Sequence, residues 1–298
     1  MDKFASLAAF VGVVEQGSFA AAARELGISR SQANRQVIQL EDELGVQLLH
    51  RTTRSVSVTP SGDSYYKRTR AIIDELGDAE RDIQSEQTEP RGEIRINAPQ
   101  SFGVRHLAPA LVEFLKLYPK ISIQLALSDQ FIDPVADGFD VTLRISGRKE
   151  NPSLIEHEII EAHRVLCASP AFINEHGSPQ HPRELAEMPC LHYGNLPTGN
   201  SWRLEKGSES VDVRVNGILC ANNADVLNDA ACAGLGVALL PKFIANTNLR
   251  DGKLVTLLDD YSAPAIYLSL VYAPSRHLST RIRVFVKFIQ QWFELSDF

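Results

Sequence analysis

Five side chains clustered in "ISRSQANRQVIQLEDELG" (28–45) have hydrogen-bonding patterns that can read the edge of a base: Arg30, Ser31, Gln32, Asn34 and Arg35. An arginine fork matches the two acceptors of guanine. An asparagine amide, one donor group beside one acceptor, matches adenine, and a serine hydroxyl can serve either. Their spacing matters as much as their type. Ala33, Val37, Leu40 and Leu44 recur at i, i+4, i+7 and i+11, a stripe that must face a core. At about 100° per residue, Ser31, Asn34, Arg35 and Ile38 fall on a different, mostly polar face that points outward. Gln32 stands three residues after Ser29 in a capping box, with Ile28 placed to staple onto Ala33, so capping competes for Gln32. Glu41, Asp42 and Glu43 belong to the opposite end of the helix. A polar helix face taken alone is usually solvated, so the surrounding elements must decide.

Phe4, Leu7, Ala8, Phe10, Val11 and Val14 recur at helical spacing up to Gly17. Ser18 can cap a second helix, "FAAAAREL", that Gly27 closes. Two helices joined by "LGIS", the second polar at its leading end, fit a helix-turn-helix. In "LLHRTTRSVSVTPSG", Val56 and Val58 alternate with Ser55, Ser57 and Thr59, which predicts the second strand of a hairpin with "RTTR" at its tip. Arg51, Thr53 and Arg54 there form a basic wing suited to phosphates or a minor groove; plain solvent exposure is the alternative for both arginines. Thr59 and Pro60 read as an N-cap and first helical residue. The helix they open runs to about residue 87, with Tyr65, Tyr66, Ile72, Ile73, Leu76, Ala79 and Ile83 as its sparse apolar positions. It suits pairing with a second copy of itself, the alternative being packing on its own chain. "QTEPRGE" (87–93) is a junction.

Beyond it, strands alternate with helices. "EIRINAP", "ISIQLALS" and "FDVTLRIS" read as strands, "GVRHLAPALVEFLKLYP" and "FIDPVADG" as helices, implying a parallel sheet. A second unit starts near "EAHRVLCASP", followed by the helix "AFINEHG". Then come the helix "NNADVLNDAACAG", the buried strand "LGVALLP", a strand at 267–272 and a closing helix at 281–293.

Composition narrows the function. The chain of 298 residues is 44% hydrophobic and 22% charged, enough for two or three cores. No apolar run approaches the roughly 18 residues of a membrane span, and the N-terminus lacks a basic leader, so a cytoplasmic protein with no membrane partner is expected. The net charge of −7 lies wholly outside residues 1–60, where six basic and six acidic residues balance and four arginines cluster between 30 and 54. Cys167, Cys190, Cys220 and Cys232 make no C-x-x-C pair; reduced core thiols are expected, with no metal. His157, His163, His181 and His192 are scattered, "GLG" (234–236) reads as a helix cap and turn, and no catalytic or phosphate-loop motif is present, so no enzyme and no cofactor are expected.

From end to end the sequence resembles the LysR-type transcriptional regulators. The resemblance is carried by "FVGVVEQGSFAAAARELGISRSQANRQVIQLEDELGVQLLHRTTRSVSVTPSG", "EFLKLYPKISIQLALSD", "DGFDVTLRISG", "VLCASPAFINEHGSPQHPREL" and "AACAGLGVALLP", in the family's order and spacing. It implies an N-terminal all-α winged helix-turn-helix (1–59) and a linker and dimerisation helix (60–89). An α/β effector domain like a type 2 periplasmic binding protein (90–298) comes next. The chain would cross between its subdomains near 162 and 266, giving subdomain I (90–162 and 266–298) and subdomain II (163–265). The implied partners are double-stranded DNA, a small-molecule effector in the inter-subdomain cleft, a second copy of the chain through the linker helix within a homotetramer, and RNA polymerase. A solute-binding protein or a sensor without DNA binding shares the effector fold and is the alternative. Asn34 stands where the family commonly has Ser or Thr, and Arg30 where Gln is frequent. The operator is therefore expected to differ from relatives' sites, a bidentate asparagine–adenine or arginine–guanine pair contributing about 1–3 kcal/mol of discrimination.

The strand at 92–98 runs into "PQSFG", where a helix N-terminus offers N–H groups and a positive dipole to an anion. Ser101 there could cap the helix or bind a ligand, with Gln100 beside it. The resemblance adds Phe102, Ser128, Asp129, Arg144, Gly194, Asn195 and Leu196 as effector contacts; an intramolecular ion pair is the alternative for Arg144.

Overall fold

The structure is a computed structural model that describes residues 2–51, 56–84, 89–130, 137–147, 154–194, 200–274 and 278–294. By packing, the chain divides into two compact units. One is Met1–Pro90 with 132–140 and 275–283; the other is the remainder.

The first unit holds α1 (Lys3–Gln16), α2 (Phe19–Glu25), α3 (Arg30–Leu44), a hairpin of β1 (Leu49–Arg51) and β2 (Val56–Val58), and α4 (Pro60–Gln84). The hairpin means that it is not purely helical. Each of the first three helices starts at a side-chain cap: Asp2 accepts from the Ala5 N–H, Ser18 from Ala20, and Ser29 from Gln32 at 3.1 Å. Only half of the capping box forms, because the Gln32 side chain makes no return bond among the described residues. Gly45 ends α3 at φ 67°, the left-handed cap for which glycine carries no Cβ penalty. Phe10, Val13, Ala22, Ala33, Val37, Leu40, Leu48 and Leu49 form the core. Leu44, at the end of the apolar stripe, is 39% exposed instead: the last turn of α3 runs past the core. The Thr59 hydroxyl accepts from the Gly62 N–H at 2.9 Å, the expected N-cap of α4. Tyr65, Tyr66 and Ile73 of α4 pack on the unit's own core, while Ile72 and Leu76 stay exposed. Ala79 and Ile83 lie outside the described side chains.

The second unit contains β3 (Gly92–Ala98), α5 (Gln100–Phe102), a π-helical turn (Gly103–Leu107), α6 (Ala108–Leu117), β4 (Ile121–Leu127), β5 (Val141–Ser146) and β6 (Ile155–Ala162). It continues with β7 (Arg164–Ala168), α7 (Pro170–His176), a 3-10 turn (Pro182–Ala186), β8 (Pro189–Tyr193), β9 (Ser201–Lys206), β10 (Glu209–Arg214) and β11 (Asn216–Ala221). Then come α8 (Ala224–Cys232), β12 (Val237–Pro241), α9 (Lys242–Arg250), β13 (Val255–Leu257), β14 (Ile266–Tyr272) and the closing α10 (Thr280–Glu294), which belongs to this unit from Val284 onward. The expected helix "FIDPVADG" falls mostly outside the described residues.

Two five-stranded sheets result, ordered β4-β3-β5-β14-β6 and β11-β8-β12-β7-β13. They are mixed rather than parallel. β4, β3 and β5 run parallel, as do β11, β8 and β12, but β14 is antiparallel to β5 and β6, and β7 is antiparallel to β12 and β13. The antiparallel strands are those next to the passages between sheets, Ala162 to Arg164 and Leu257 to Ile266, where no βαβ crossover sets the direction. On the first sheet α6 and α10 bury Phe114 against Phe285, ring centroids 5.2 Å apart. On the second, Leu166, Cys190, Val237 and Leu239 meet Trp202, Leu204, Val211 and Val213 from the β9–β10 ribbon. All four cysteines are free thiols. Cys167 and Cys190 are core residues as expected, with burial pushing both thiols up to about 12. Cys232 is half-buried and Cys220, on the edge strand β11, is exposed.

Candidate nucleic-acid interface and ligand cleft

Arg30, Ser31 and Arg35 are exposed on the leading turns of α3, and Gln32 and Asn34 are half-buried beside them. Ser31 shares a hydroxyl–hydroxyl bond of 3.0 Å with the cap, Ser29. Arg51, an exposed residue, is engaged within the unit. Its Nη1 donates to Asn34 Oδ1 at 3.0 Å, its Nη2 to Glu41 Oε2, and its guanidinium lies 5.4 Å over the Phe19 ring. The other Glu41 oxygen accepts from the Leu48 and Leu49 N–H groups at 2.9 and 3.0 Å. One carboxylate thus joins α3 to the entry of the wing. Sequence reasoning missed this role for Glu41, grouping it with Asp42 and Glu43. The signal was there: Glu41 falls four residues after Val37 and eight after Ala33, on the apolar stripe itself. Thr53 and Arg54 lie outside the described residues.

The second constellation forms where the parallel strands of the first sheet end. Asp129, just past β4, accepts from the Gln100 N–H at 2.9 Å through Oδ1 and from Asn223 Nδ2 at 2.9 Å through Oδ2. Asn223 caps α8 with its own oxygen, accepting from Asp225 and Val226, so one amide starts a helix of the second sheet's layer and ties it to the first. Arg105 and Asp225 make a further tie at 2.6 Å. Tyr193, at the end of β8, is held up to about 12 by burial and then by the Asp129 charge. Sequence reasoning missed Asn223, Tyr193, Arg105 and Asp225; only Asn223 carried a local signal, a capping residue ahead of a predicted helix.

Ser101 is 7% exposed, and its hydroxyl has no hydrogen-bond partner among the described residues. It does not cap: Asp129 already satisfies the first N–H. Ser128 spends its hydroxyl on the Gln130 N–H at 3.2 Å. Gly194 donates to the Ala221 carbonyl, and a Cβ there would stand 2.8 Å from Cys220 Sγ. Arg144 is half-buried; since Asn97 pairs with Thr142, it lies beyond the carboxyl end of β3. The Phe102 ring is fully buried against His106, Phe243 and Phe293. Burial, and then the neighbouring Arg105 charge, lower the His106 pKa. Asn195 and Leu196 lie outside the described residues. Among those residues, no group of His, Cys, Asp and Glu could hold a metal ion, and no helix is long and apolar enough to cross a membrane.

A helix-turn-helix with a wing, followed by two mixed sheets exchanging strands around a polar junction, defines a regulator with separate DNA-binding and effector-binding parts. Residues 4–63 match the model of the bacterial regulatory helix-turn-helix protein, lysR family, and residues 87–294 that of the LysR substrate binding domain. The chain is 33% identical to the HTH-type transcriptional regulator DmlR of Escherichia coli K12, over 96% of this chain and 93% of that protein. Among solved structures it is similar to full-length AphB, the Vibrio cholerae virulence activator, at TM-score 0.61 and 30% identity, over 95% of this chain and 97% of that one. It is also similar to CrgA of Neisseria meningitidis, at TM-score 0.61 and 29% identity, over 96% and 97%. The chain belongs to the LysR family of transcriptional regulators.

Proposed function

We propose that the protein acts in the cytoplasm as a homotetrameric regulator, and not as an enzyme. The leading turns of α3 enter the major groove, and an effector between the two sheets changes the arrangement of the oligomer on DNA. Arg30, Ser31 and Arg35 meet base edges and phosphates, Asn34 reads a base, Gln32 backs them, and Thr53 and Arg54 at the wing tip reach the backbone or minor groove. Arg51 joins this interface by holding the wing on α3. The observation that carries the reading is the orphaned hydroxyl of Ser101, buried at the junction of the two sheets, together with the exposed arginines on a capped helix of the other unit. Ser101, Phe102, Gly194, Asn195, Leu196 and Arg144 bind the effector; Gln100, Ser128 and Asp129 shape the site. Because the Asp129 carboxylate already occupies the helix N-terminus, the effector presents a hydrogen-bonding group there rather than a second negative charge. Domains at 1–59, 60–89 and 90–298 divide these tasks, with self-association through Ile72 and Leu76 of α4 and RNA polymerase as a further partner.

A screen of small carboxylic and aromatic metabolites by thermal shift would find the effector, since a ligand that binds only the folded state raises its stability. Ser101→Ala should abolish that shift while leaving DNA affinity within about twofold, well under the tenfold of 1.4 kcal/mol. Equal loss of both would count against the assignment.

A further inference from the structure

If α3 is the helix that meets DNA, a reading on which this proposal rests, the hydrogen-bonding state of Asn34 decides which base edge it can recognise. A guanidinium carries only donors, so the atom of Asn34 facing Arg51 Nη1 at 3.0 Å is its oxygen. The guanidinium is itself fixed, with Glu41 on Nη2, the Phe19 ring over its face, and only 27% of the side chain exposed. Glu41, 11% exposed, is fixed in turn by the two N–H groups at the start of the wing. One lone pair of Asn34 Oδ1 is therefore engaged by a fixed cation, while Nδ2 has no partner among the described residues.

We infer that Asn34 reads DNA mainly as a donor, because one lone pair of its oxygen is held by a cation, and that Arg51 sets this preference without touching the base. The base facing Asn34 presents acceptors, guanine O6 and N7 or thymine O4. Adenine is disfavoured because its N6 amino group would have to share with Arg51 an oxygen whose remaining lone pair the guanidinium weakens, leaving N7 as the one well-matched contact for Nδ2. Turning the amide over to offer its oxygen would break a charge-assisted bond and set its two N–H donors against the guanidinium. The bidentate asparagine–adenine pair expected from residue type alone is thereby replaced.

The test is selection of bound sequences from a random duplex pool by the full chain, then anisotropy on the selected duplex and its single-base replacements. Asn34→Ala should flatten one position in each half-site. There the wild type should favour guanine or thymine over adenine by about tenfold. Arg51→Met, freeing Oδ1, should make adenine comparable to them. Asn34→Asp, isosteric and still bonded to Arg51 but lacking a donor, should move the favoured base to cytosine or adenine. A wild-type preference for adenine overturns the inference alone. So does Asn34→Ala leaving every position unchanged, or folded Arg51→Met and Asn34→Asp both keeping the wild-type preference. Should Arg51→Met fail to fold on melting, Asn34→Asp decides. If the wild type enriches no sequence, the DNA-reading assignment of α3 falls, and the inference with it.

Discussion

At the scale of single residues, polar groups fall into those that hold the fold and those left over, and the difference gives opposite mutational signs. Glu41 satisfies two backbone N–H groups and a guanidinium, so Glu41→Ala strands all three. It should destabilise the DNA-binding unit by about 2 kcal/mol, the order expected when partly buried partners lose their acceptor. Urea unfolding followed by circular dichroism checks this, and an unchanged midpoint would show that the tether is idle. Ser101 satisfies nothing, so Ser101→Ala should leave stability unchanged or raise it by up to about 1 kcal/mol. The same unfolding experiment reads it out, and a loss comparable to that of Glu41→Ala would contradict the orphan hydroxyl. Much at this scale was legible in the sequence. Ser29 and Thr59 cap where their spacing placed them, because capping is local chemistry. The engagements of Arg51, Asp129 and Asn223 were not, because their partners in α3, in α5 and across the two sheets lie far off in sequence and only the fold brings them together.

At the scale of elements, the helices of the first unit were readable because apolar spacing and left-handed glycines mark both faces and ends. The strands of the second unit were less so. β6 ("IEHEIIEA") borders its sheet and mixes charged with apolar positions, so its pattern signals neither a buried strand nor a loop. β9 and β10 form a ribbon whose alternation went unread, although Trp202, Leu204, Val211 and Val213 point into the core. The mixed direction of both sheets comes from where the chain passes between them, which no local pattern encodes. One element contact is tight enough to predict from. Gly62 in α4 lies against the Leu48 carbonyl oxygen, leaving no room for a Cβ. Gly62→Ala should therefore push α4 away from the wing and cost about 2 kcal/mol, as overpacking does. Thermal melting of the variant should show an earlier transition; a melt matching wild type would mean that α4 shifts freely.

At the scale of the whole molecule, the two faces of α4 bear on assembly. Tyr65, Tyr66 and Ile73 are spent on the chain's own core, while Ile72 and Leu76, four residues apart, remain open. Ile72→Glu with Leu76→Glu should lower the sedimentation mass of the oligomer without unfolding the protein, because charges on an apolar seam repel a second copy. An unchanged mass would place the contact elsewhere. The central claim is that the leading turns of α3 bind DNA, and its most direct test is the salt dependence of affinity for the duplex upstream of the protein's own gene. Saturable binding by the full chain is expected, with log K falling steeply against log salt as phosphate counterions are released. A phosphate-contacting Arg30 or Arg35, replaced by alanine, should reduce that slope by about one. No saturable binding at low salt, or a slope indifferent to both substitutions, would contradict the account.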